Sequence, residues 1–321
     1  MSQPLPVICL MGPTASGKTQ LAVELVQHFP LEIVSVDSAM VYRTLDIGTA
    51  KPDTETLAKA PHRLINIRDP KEAYSAAQFC KDALREIETI FQQKKIPLLV
   101  GGTMLYFRAL QQGLSDLPSA NLKIRKKIAD QAKQLGWPKM HEYLVNVDPV
   151  ASKRIHPHDS QRIQRALEVY ELTGKNLTTW QETENTRAVK YHFYNIAVAP
   201  LDRSILHARI AERFKKMLQD GFIDEVKNLQ ARGDLSLELP AIRSVGYRQV
   251  WEYLLGNCSY EEMQERGIIA TRQLAKRQLT WLRSWPDVKW FDSEAIDLYT
   301  QVTNYLQEKT PLPPQGGRDW G

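Results

Sequence analysis

Eight consecutive residues close to the amino terminus of this chain could hold a phosphate group. Residues 12–19 fit the pattern G-x-x-x-x-G-K-[ST] at every fixed position. Backbone amides in such a loop attract anions, Lys18 adds a positive charge, and the Thr19 hydroxyl can ligate Mg²⁺. We therefore expect a di- or triphosphate to bind here; the alternative is a glycine-rich turn without a ligand. The residues are Gly12, Pro13, Thr14, Ala15, Ser16, Gly17, Lys18 and Thr19.

A carboxylate follows the next apolar run of the chain. Ile33–Val36 is predicted to be a buried strand, and it ends at Asp37 and Ser38. The carboxyl ends of parallel strands form the rim where α/β sheets bind ligands, so this carboxylate should lie near residues 12–19. Asp37 could hold magnesium through a water molecule or act as a general base, and Asp37 or Ser38 could instead cap a helix. The residues alone leave these roles open.

Two glycines and a threonine follow a third apolar run, Ile96–Val100. Gly101 and Gly102 would let the backbone approach a ligand closely, and Thr103 could cap the helical stretch that begins at Met104. A binding role and a purely capping role are both open here.

A basic helical segment lies near the carboxyl end. Arg266–Arg283 contains five basic side chains and no acidic one. On a helix, Arg272, Lys276 and Arg283 share one face, which is left free for a partner. A basic face without neutralising carboxylates is typical of nucleic-acid binding, because solvated surfaces normally mix both signs. The side chains predicted for the opposite face are Leu274, Gln278, Trp281 and Trp285.

A second basic region could hold the same polyanion. Asn121–Met140 carries six basic residues against one acid, and we predict a helical insertion domain at 118–149. Beyond it, Gln161, Arg162 and Arg165 open a further helix behind a cap at Asp159 or Ser160. A solvated charged face is the alternative for that helix.

Apolar runs indicate the elements that must position these residues. They are typical of buried parallel strands, and an amphipathic helix with Leu21, Leu25 and Phe29 follows the first. We predict an α/β fold with a doubly wound parallel sheet of the P-loop type at 1–117 and 150–321. It includes a helical RNA-binding region at 201–285 and a disordered tail at 310–321. The predicted strands are Val7–Met11, Ile33–Val36, Ile96–Val100 and Phe193–Val198.

Composition narrows the class of protein. The chain has 42 Lys and Arg against 37 Asp and Glu, a net charge of +5, and 43% hydrophobic residues, which excludes collagen-like and wholly disordered classes. Three cysteines without a CxxC pair favour neither a disulfide framework nor a zinc finger. No charged signal-peptide opening precedes Lys18, and no apolar run approaches the roughly 18 residues of a membrane span. We expect a soluble, cytoplasmic, monomeric protein.

Several segments, taken in order, resemble the tRNA dimethylallyltransferase (tRNA isopentenyltransferase) family. The resemblance runs from about Val7 to Asp292 and is far more specific than the phosphate loop alone. Some eukaryotic members carry a carboxyl-terminal zinc finger, which the cysteine count does not support, so the bacterial type is favoured. The matching segments are residues 12–19 (GPTASGKT), Asp37-Ser38 with Val41-Tyr42-Arg43, Asp46–Pro52 (DIGTAKP), Pro61–Leu64 (PHRL), Ile65–Pro70 (INIRDP), Pro97–Tyr106 (PLLVGGTMLY), Arg162–Glu168 (RIQRALE), Ile242–Gln249 (IRSVGYRQ) and Thr271–Trp281 (TRQLAKRQLTW).

The resemblance implies a reaction and roles in it. A dimethylallyl group would pass from dimethylallyl diphosphate to the exocyclic amine of the adenosine 3′-adjacent to the tRNA anticodon. Residues 12–19, including Lys18, would hold the donor's diphosphate with Arg213, and Thr19 would ligate Mg²⁺. Asp37 would be the general base, with Thr103 beside the reacting adenine.

The resemblance also implies contacts with the anticodon stem-loop of tRNA. The residues concerned are Asp37, Ser38, Ala39, Met40, Thr103, Arg125, Gln161, Arg162, Ile163, Gln164, Arg165, Ile242, Arg243, Ser244, Val245, Gly246, Tyr247, Ala275, Lys276, Arg277, Gln278, Leu279, Thr280, Trp281 and Leu282.

Three other functions fit part of the sequence. A P-loop kinase acting on a small metabolite would explain residues 12–19 but not the basic helix. An isopentenyltransferase acting on free adenine nucleotides would need neither the insertion nor the basic face of Arg266–Arg283. An RNA-binding module without catalysis would leave Lys18, Thr19 and Asp37 without a role.

Overall fold

The computed structural model describes residues 4–113, 117–118, 120–182, 190–310 and 312. The chain divides into two compact units, Met1–Gln111 with Val189–Gly321, and Gln112–Ala188. The first unit is built on a β-sheet, and the described part of the second is helical.

Six parallel strands form the sheet of the first unit. They are β1 (Leu5–Met11), β2 (Leu31–Val36), β3 (His62–Arg63), β4 (Ile96–Gly101), β5 (Tyr191–Ala199) and β6 (Val288–Asp292). Their order across the sheet is β3-β2-β4-β1-β5-β6. Four of them contain the predicted apolar runs. The two edge strands were not predicted, because β3 has only two residues and β6 exposes Lys289 and Trp290.

Both faces of the sheet are buried, as the strand pattern requires. Successive side chains of a strand point to opposite faces. Along β1, Val7, Cys9 and Met11 join one apolar cluster, whereas Ile8 and Leu10 join another. This is the doubly wound arrangement with both faces covered, and the predicted α/β fold is confirmed.

Among the described residues, helices lie between successive strands, and most of the carboxyl-terminal half is helical. They are α1 (Lys18–His28), α2 (Thr54–Lys59), α3 (Ala76–Gln92), α4 (Met104–Gln112), α5 (Leu122–Leu135), α6 (Trp137–Val147), α7 (Pro149–Arg154), α8 (Ser160–Thr173), α9 (Leu177–Glu182), α10 (Arg203–Gln219), α11 (Phe222–Ala231), α12 (Tyr247–Leu254), α13 (Tyr260–Arg283) and α14 (Leu298–Lys309). The largely helical region predicted from 201 to 285 is present as α10–α13. Phe29 is not part of α1: it caps that helix in an extended conformation and is buried.

The second unit has a core of its own. Ile128 and Leu144, from α5 and α6, pack with Ile155 and with Ile163 from α8 in one apolar cluster. The predicted insertion, 118–149, contains α5 and α6 alone, whereas the compact unit spans 112–188. The difference arises because α7 and α8 supply the apolar residues that complete this core. Residues 150–182 therefore belong with the insertion and not with the sheet.

The predicted disordered tail, 310–321, lies outside the described residues except at Thr310 and Leu312. Both of these are buried, and Leu312 joins the cluster that contains Ile8. None of the helices in the described part of the chain is long and apolar enough to cross a membrane.

Candidate active site

Three loops meet at the carboxyl edge of the sheet, because β1, β2 and β4 are adjacent and parallel. Residues 12–19 follow β1, Asp37 follows β2, and Gly102-Thr103 follows β4. The phosphate loop turns through left-handed backbone at Ala15 (φ 63°) and Gly17 (φ 83°) before α1 begins at Lys18. The first helical turn therefore presents its amides at this edge, where an anion is favoured.

Lys18 is the first cation of the site. Its Nζ donates to the carbonyl oxygen of Pro13 at 2.5 Å and to Ser16 Oγ at 3.3 Å. Burial, reinforced by the charge of Arg213, lowers the pKa of Lys18 to about 7, and Asp37 opposes that shift. A bound anion would favour the charged ammonium, so the electrostatics of the loop suit an anionic ligand.

Arg213 supplies a second cation from the middle of α10. Its Nη2 donates to the carbonyl oxygen of Thr49 at 3.2 Å. Burial lowers the pKa of Arg213, and the nearby charge of Asp37 opposes this. Within the described residues Arg213 forms no ion pair, in contrast to Arg209 one turn earlier, which pairs with Glu294 at 2.7 Å.

The loop that carries Thr49 is held by one carboxylate. Glu225 of α11 accepts hydrogen bonds from the amides of Asp46 (2.9 Å), Ile47 (2.7 Å) and Gly48 (3.2 Å). The hydroxyl of Tyr247 also donates to Glu225, at 2.5 Å. These contacts fix the segment whose carbonyl orients Arg213.

Asp37 is anchored through one of its two carboxylate oxygens. Oδ1 accepts from the amides of Ala39 at 2.8 Å and Met40 at 3.1 Å. The helix cap left open by the sequence is absent, because no helix begins here; Asp37 instead caps a turn. Oδ2 accepts no hydrogen bond from the described residues, so one oxygen is positioned while the other is available for a proton or a metal-bound water.

Two side chains connect the three loops. The Thr103 hydroxyl accepts from the amide of Ser38 at 3.1 Å, and among the described residues no amide of α4 donates to it. Gln278 of α13 accepts from the amide of Thr14 at 2.9 Å and donates to the carbonyl oxygen of Gly102 at 2.9 Å.

Two adjoining cavities open at these loops. The smaller, about 220 Å³, is lined by the phosphate loop with Ser35 and Met40. The larger, about 390 Å³, has apolar walls from Ile210, Phe214 and Met217. The residues common to both linings are Thr14, Ala15, Asp37, Thr49, Gly102, Arg213 and Gln278. The carboxylate and the second cation therefore lie where the two cavities meet.

The segment predicted to contact tRNA on α13 divides between two faces. Lys276, Arg277 and Thr280 are exposed. Ala275, Gln278, Leu279 and Leu282 are buried, so their side chains pack inward. Arg272 was predicted to lie on a free basic face. That prediction is wrong in part, because Arg272 is half-buried and its Nη2 donates to the carbonyl oxygen of His207 on α10 at 3.5 Å.

Residues 242–247 form part of the larger cavity. Arg243, Ser244, Val245, Gly246 and Tyr247 line it, whereas Ile242 is fully buried in the core. Five residues of the predicted contact segment therefore line the cavity, and one, Ile242, packs in the core.

The other predicted contacts lie in the second unit, where three arginines have an acidic partner: Arg125 and Arg165 share Glu168, and Arg162 pairs with Asp159 at 3.4 Å. Glu168 is fully buried and accepts from Arg125 Nε at 2.9 Å and from Arg165 Nη1 at 2.8 Å. Gln164 donates to the carbonyl oxygen of Arg125 at 3.0 Å. Gln161 and Arg162 are exposed on the first turn of α8, and Ile163 is in the core. Asp159 caps α8 as predicted.

The donor set at the phosphate loop fits Mg²⁺. Within the described residues, no group of three or more His, Cys, Asp or Glu side chains could hold a metal. Mg²⁺ needs no such cluster, because it takes one or two protein oxygens beside water and substrate phosphates. Thr19, Ser35 and Asp37 supply hard oxygen atoms to the lining of the smaller cavity.

Several cavity residues carry no signal of their own in the sequence. Thr49 and His62 belong to the matching segments DIGTAKP and PHRL, and those segments are the only sign of a role for them. His62 lines the smaller cavity. Its Nδ1 lies 2.7 Å from the carbonyl oxygen of Ala60, which can only accept, so Nδ1 carries the proton. Burial lowers the pKa of His62.

The fold and this site define a class: P-loop α/β proteins that bind a phosphorylated ligand at the carboxyl edge of the sheet, beside a carboxylate. A family model described as IPP transferase matches residues 40–285. The chain belongs to the IPP transferase family.

Individual relatives agree with this assignment. The chain is 60% identical over 301 residues to a tRNA dimethylallyltransferase of Coxiella burnetii, covering 94% of this chain and 97% of that protein. It is 53% identical over 324 residues to tRNA dimethylallyltransferase 2 of Hahella chejuensis, covering 96% and 98%. The family resemblance found in the sequence is confirmed.

Solved structures are similar as well. The full-length tRNA isopentenylpyrophosphate transferase of Bacillus halodurans matches with a TM-score of 0.69 and 35% identity, over 95% of this chain and 96% of that one. A eukaryotic dimethylallyltransferase acting on tRNA matches with a TM-score of 0.79 and 26% identity, over 98% and 81%.

Proposed function

We propose that this protein transfers the dimethylallyl group of dimethylallyl diphosphate to the exocyclic amine of the adenosine 3′-adjacent to the anticodon in tRNA. The products are N6-dimethylallyladenosine and diphosphate. The observation that carries the proposal is the junction of the two cavities, where Asp37 and Arg213 lie between a phosphate-binding loop and an apolar wall. A prenyl diphosphate has the same polarity, anionic at one end and apolar at the other.

The donor would place its diphosphate in the smaller cavity. Residues 14–19, which include Lys18 and the start of α1, line that space. The prenyl chain would then enter the larger cavity, against Ile210, Phe214 and Met217. In this pose the carbon bonded to oxygen lies at the junction, near Asp37.

Leaving-group stabilisation is the principal task of the cations. An adenine amine is a weak nucleophile because its lone pair is delocalised into the ring, so the C–O bond of the donor must break easily. Lys18 and Arg213 together with the loop amides stabilise the charge that develops on the departing diphosphate. Since Arg213 forms no ion pair with a described residue, its charge is available to the ligand.

Asp37 would take the proton. As the adenine nitrogen forms its bond to the allylic carbon and the C–O bond breaks, that nitrogen loses one proton to Asp37 Oδ2, and the electron pair of the C–O bond leaves with the diphosphate. The amides of Ala39 and Met40 hold Oδ1, so the base is oriented before the substrate arrives.

Mg²⁺ would be held at the phosphate loop, with the Thr19 hydroxyl as a ligand. When bound, the ion would supply further positive charge to the diphosphate. The orientation of the donor would still come from residues 12–19, and the proton acceptor would still be Asp37.

RNA would approach through exposed basic side chains of α13, with Lys276 and Arg277 on its outer face. The target base must leave its stack to reach the junction, at a cost of about a few kcal/mol that contacts with the RNA backbone offset. We also propose that the protein acts as a monomer in the cytoplasm.

Radiolabelled dimethylallyl diphosphate distinguishes this proposal from its rivals. Incubation with tRNA, with adenosine monophosphate and with ATP plus small metabolites should give label in tRNA alone. Label on adenosine monophosphate would support a free-nucleotide isopentenyltransferase. Phosphate transfer from ATP without prenyl transfer would support a kinase.

A further inference from the structure

One amide side chain on the inner face of α13 reaches the phosphate loop. Gln278 is buried, with 9% of its surface exposed. Its Oε1 accepts from the amide of Thr14, and its Nε2 donates to the carbonyl oxygen of Gly102, both at 2.9 Å. Each of these partners belongs to a different loop at the carboxyl edge of the sheet, one after β1 and one after β4.

The close fit at Gly102 shows how tightly this contact is built. A Cβ atom placed on Gly102 would overlap Nε2 of Gln278 and come within 3.2 Å of the carbonyl oxygen of Gly12. The backbone at Gly102 does not have a positive φ, so its conformation would accept another residue, but a Cβ there would have to displace the amide of Gln278.

Hydrogen bonds also link this contact to the turn of Asp37. Thr103, next to Gly102, accepts a hydrogen bond from the amide of Ser38, which follows Asp37. Gln278 thus joins the phosphate loop to the loop of Gly102, and Thr103 joins the latter to the turn of Asp37. Replacement of Gln278 by an apolar residue would leave the Thr14 amide and the Gly102 carbonyl without their partners.

We propose that Gln278 is a positioning residue for the prenyl donor: it orients the phosphate loop through the Thr14 amide and keeps that loop in register with Gly102. This assignment rests on the proposed function and differs from the RNA contact that the family resemblance implied for the same residue. Its side chain lines both cavities and points away from the exposed Lys276 and Arg277. The donor, and not the RNA, therefore responds to its replacement.

The experiment uses Gln278→Met in the full chain, because methionine keeps the length and the packing but forms neither hydrogen bond. Gln264→Ala, on the same helix and away from both cavities, is the matched control. We expect a thiodiphosphate analogue of the donor to bind about tenfold more weakly to the variant, within the range expected when two neutral hydrogen bonds that orient the loop are lost. The KM for the donor should rise, while the affinity for an anticodon stem-loop and its salt dependence stay at the wild-type value.

A double-mutant cycle tests the contact itself. Gly102→Ala should weaken donor binding in the wild-type background by displacing Gln278. In a Gln278→Ala background the space is open, so adding Gly102→Ala should have little further effect. Additive effects on donor affinity would show that Gly102 acts independently of Gln278 and would overturn the proposal.

Two further outcomes would also overturn it. Weakened binding of the stem-loop with unchanged donor affinity would make Gln278 an RNA contact. Donor binding and RNA binding could both weaken in proportion to a fall in the melting temperature of the variant. If both recover when a stabilising ligand restores that temperature, the role of Gln278 is purely structural. Failure of the proposed function looks different, because wild-type protein would then transfer no prenyl group and would not bind the analogue.

Discussion

Arginines implicated by the same family resemblance lie in very different surroundings in the two units. In the first unit, Arg213 donates to the carbonyl oxygen of Thr49 and forms no ion pair with a described residue. In the second, Arg125 and Arg165 share the carboxylate of Glu168, which is itself fully buried. The same kind of side chain is thus paired with a carboxylate in the second unit and forms no ion pair with a described residue in the first.

This difference distinguishes cations that await a ligand from cations that hold a fold together. A partly buried guanidinium without a carboxylate partner gains most when an anion arrives. A guanidinium already bound to a buried carboxylate has less to gain, and its removal leaves a buried charge without a partner. Arg213 therefore belongs to the chemistry, whereas the first effect of changing Arg125 or Arg165 should be on stability.

Replacing the carboxylate of the first unit should have the largest effect. Asp37→Asn can still accept the amides of Ala39 and Met40 but cannot take the amine proton. We expect single-turnover transfer to slow by about 10²–10⁴-fold with donor and RNA affinities retained. Rapid-quench measurement of prenyl transfer would check this, and a rate within threefold of wild type would remove Asp37 from the base role.

Removing the unpaired cation should come next. Arg213→Gln should lower kcat/KM for the donor by about tenfold to a hundredfold, because one group that stabilises the departing charge is removed. The melting temperature should change little, since Arg213 makes a single hydrogen bond to the residues that the structure describes. Arg209→Gln on the same helix, where Arg209 pairs with Glu294, is the control and should keep its activity. Equal decreases in kcat/KM for Arg213→Gln and Arg209→Gln would contradict the distinction between unpaired and paired arginines.

The reverse pattern is expected in the second unit. Glu168→Gln should lower local stability by about 1–3 kcal/mol, a value reduced for the partial exposure of its arginine partners. Hydrogen exchange in peptides from residues 120–182 would measure this, with Glu171→Gln, at the more exposed ion pair with Lys127, as the control. Donor affinity should be unchanged. A variant that loses donor binding without losing protection would show that Glu168 serves the site.

The same carboxylate predicts a pH dependence. Burial alone would raise the pKa of Glu168, but hydrogen bonds from Arg125, Arg165 and the Asn121 amide outweigh it and leave that pKa below its ordinary value. The stability it contributes is thus present above the unfolded pKa, about 4.3, and is lost as pH falls through the lower folded value. Amide exchange rates in residues 120–182, corrected for the intrinsic effect of pH on exchange, should rise in the wild type as the pH falls below about 4.3. They should change less in Glu168→Gln.

The smallest effect is expected on the outer face of α13. Replacing Lys276 and Arg283 with Gln should weaken stem-loop binding and lower the slope of log affinity against log salt by roughly 0.7–0.9 for each phosphate that is no longer neutralised. Arg272 is left unchanged because it packs against α10. Filter binding would measure the slope. The control is the double variant Lys215→Gln and Lys216→Gln on α10, which removes the same number of positive charges. Identical slopes in the two variants would make this face merely solvated.

The parts of the site that the sequence predicted are those set by local pattern. The phosphate loop was found because its glycines and lysine specify a backbone conformation, including φ 83° at Gly17. Strands β1, β2 and β4 were found because buried parallel strands are continuous apolar runs. Their adjacency then placed Asp37 beside the loop.

The missed parts depend on contacts between distant residues. Thr14 and Gln278 are 264 positions apart, and a single hydrogen bond at that separation leaves no periodic signal. The hydrogen bonds from the amides of residues 46–48 to Glu225 also join residues far apart in the sequence, so they leave no periodic signal either. For Arg272, helical periodicity gave the direction of the side chain but could not reveal that α10 lies there.

The hydrogen bond between Thr14 and Gln278 has a consequence for protein synthesis. The ribosome makes the phosphate loop first, yet the acceptor for its Thr14 amide follows 264 residues later. At about 5–20 residues per second that interval is on the order of 13–50 s. During it, the nascent chain carries the complete loop motif without the side chain that completes its hydrogen bonding. A product truncated before α13 would keep every residue of the motif and still lack an assembled donor site.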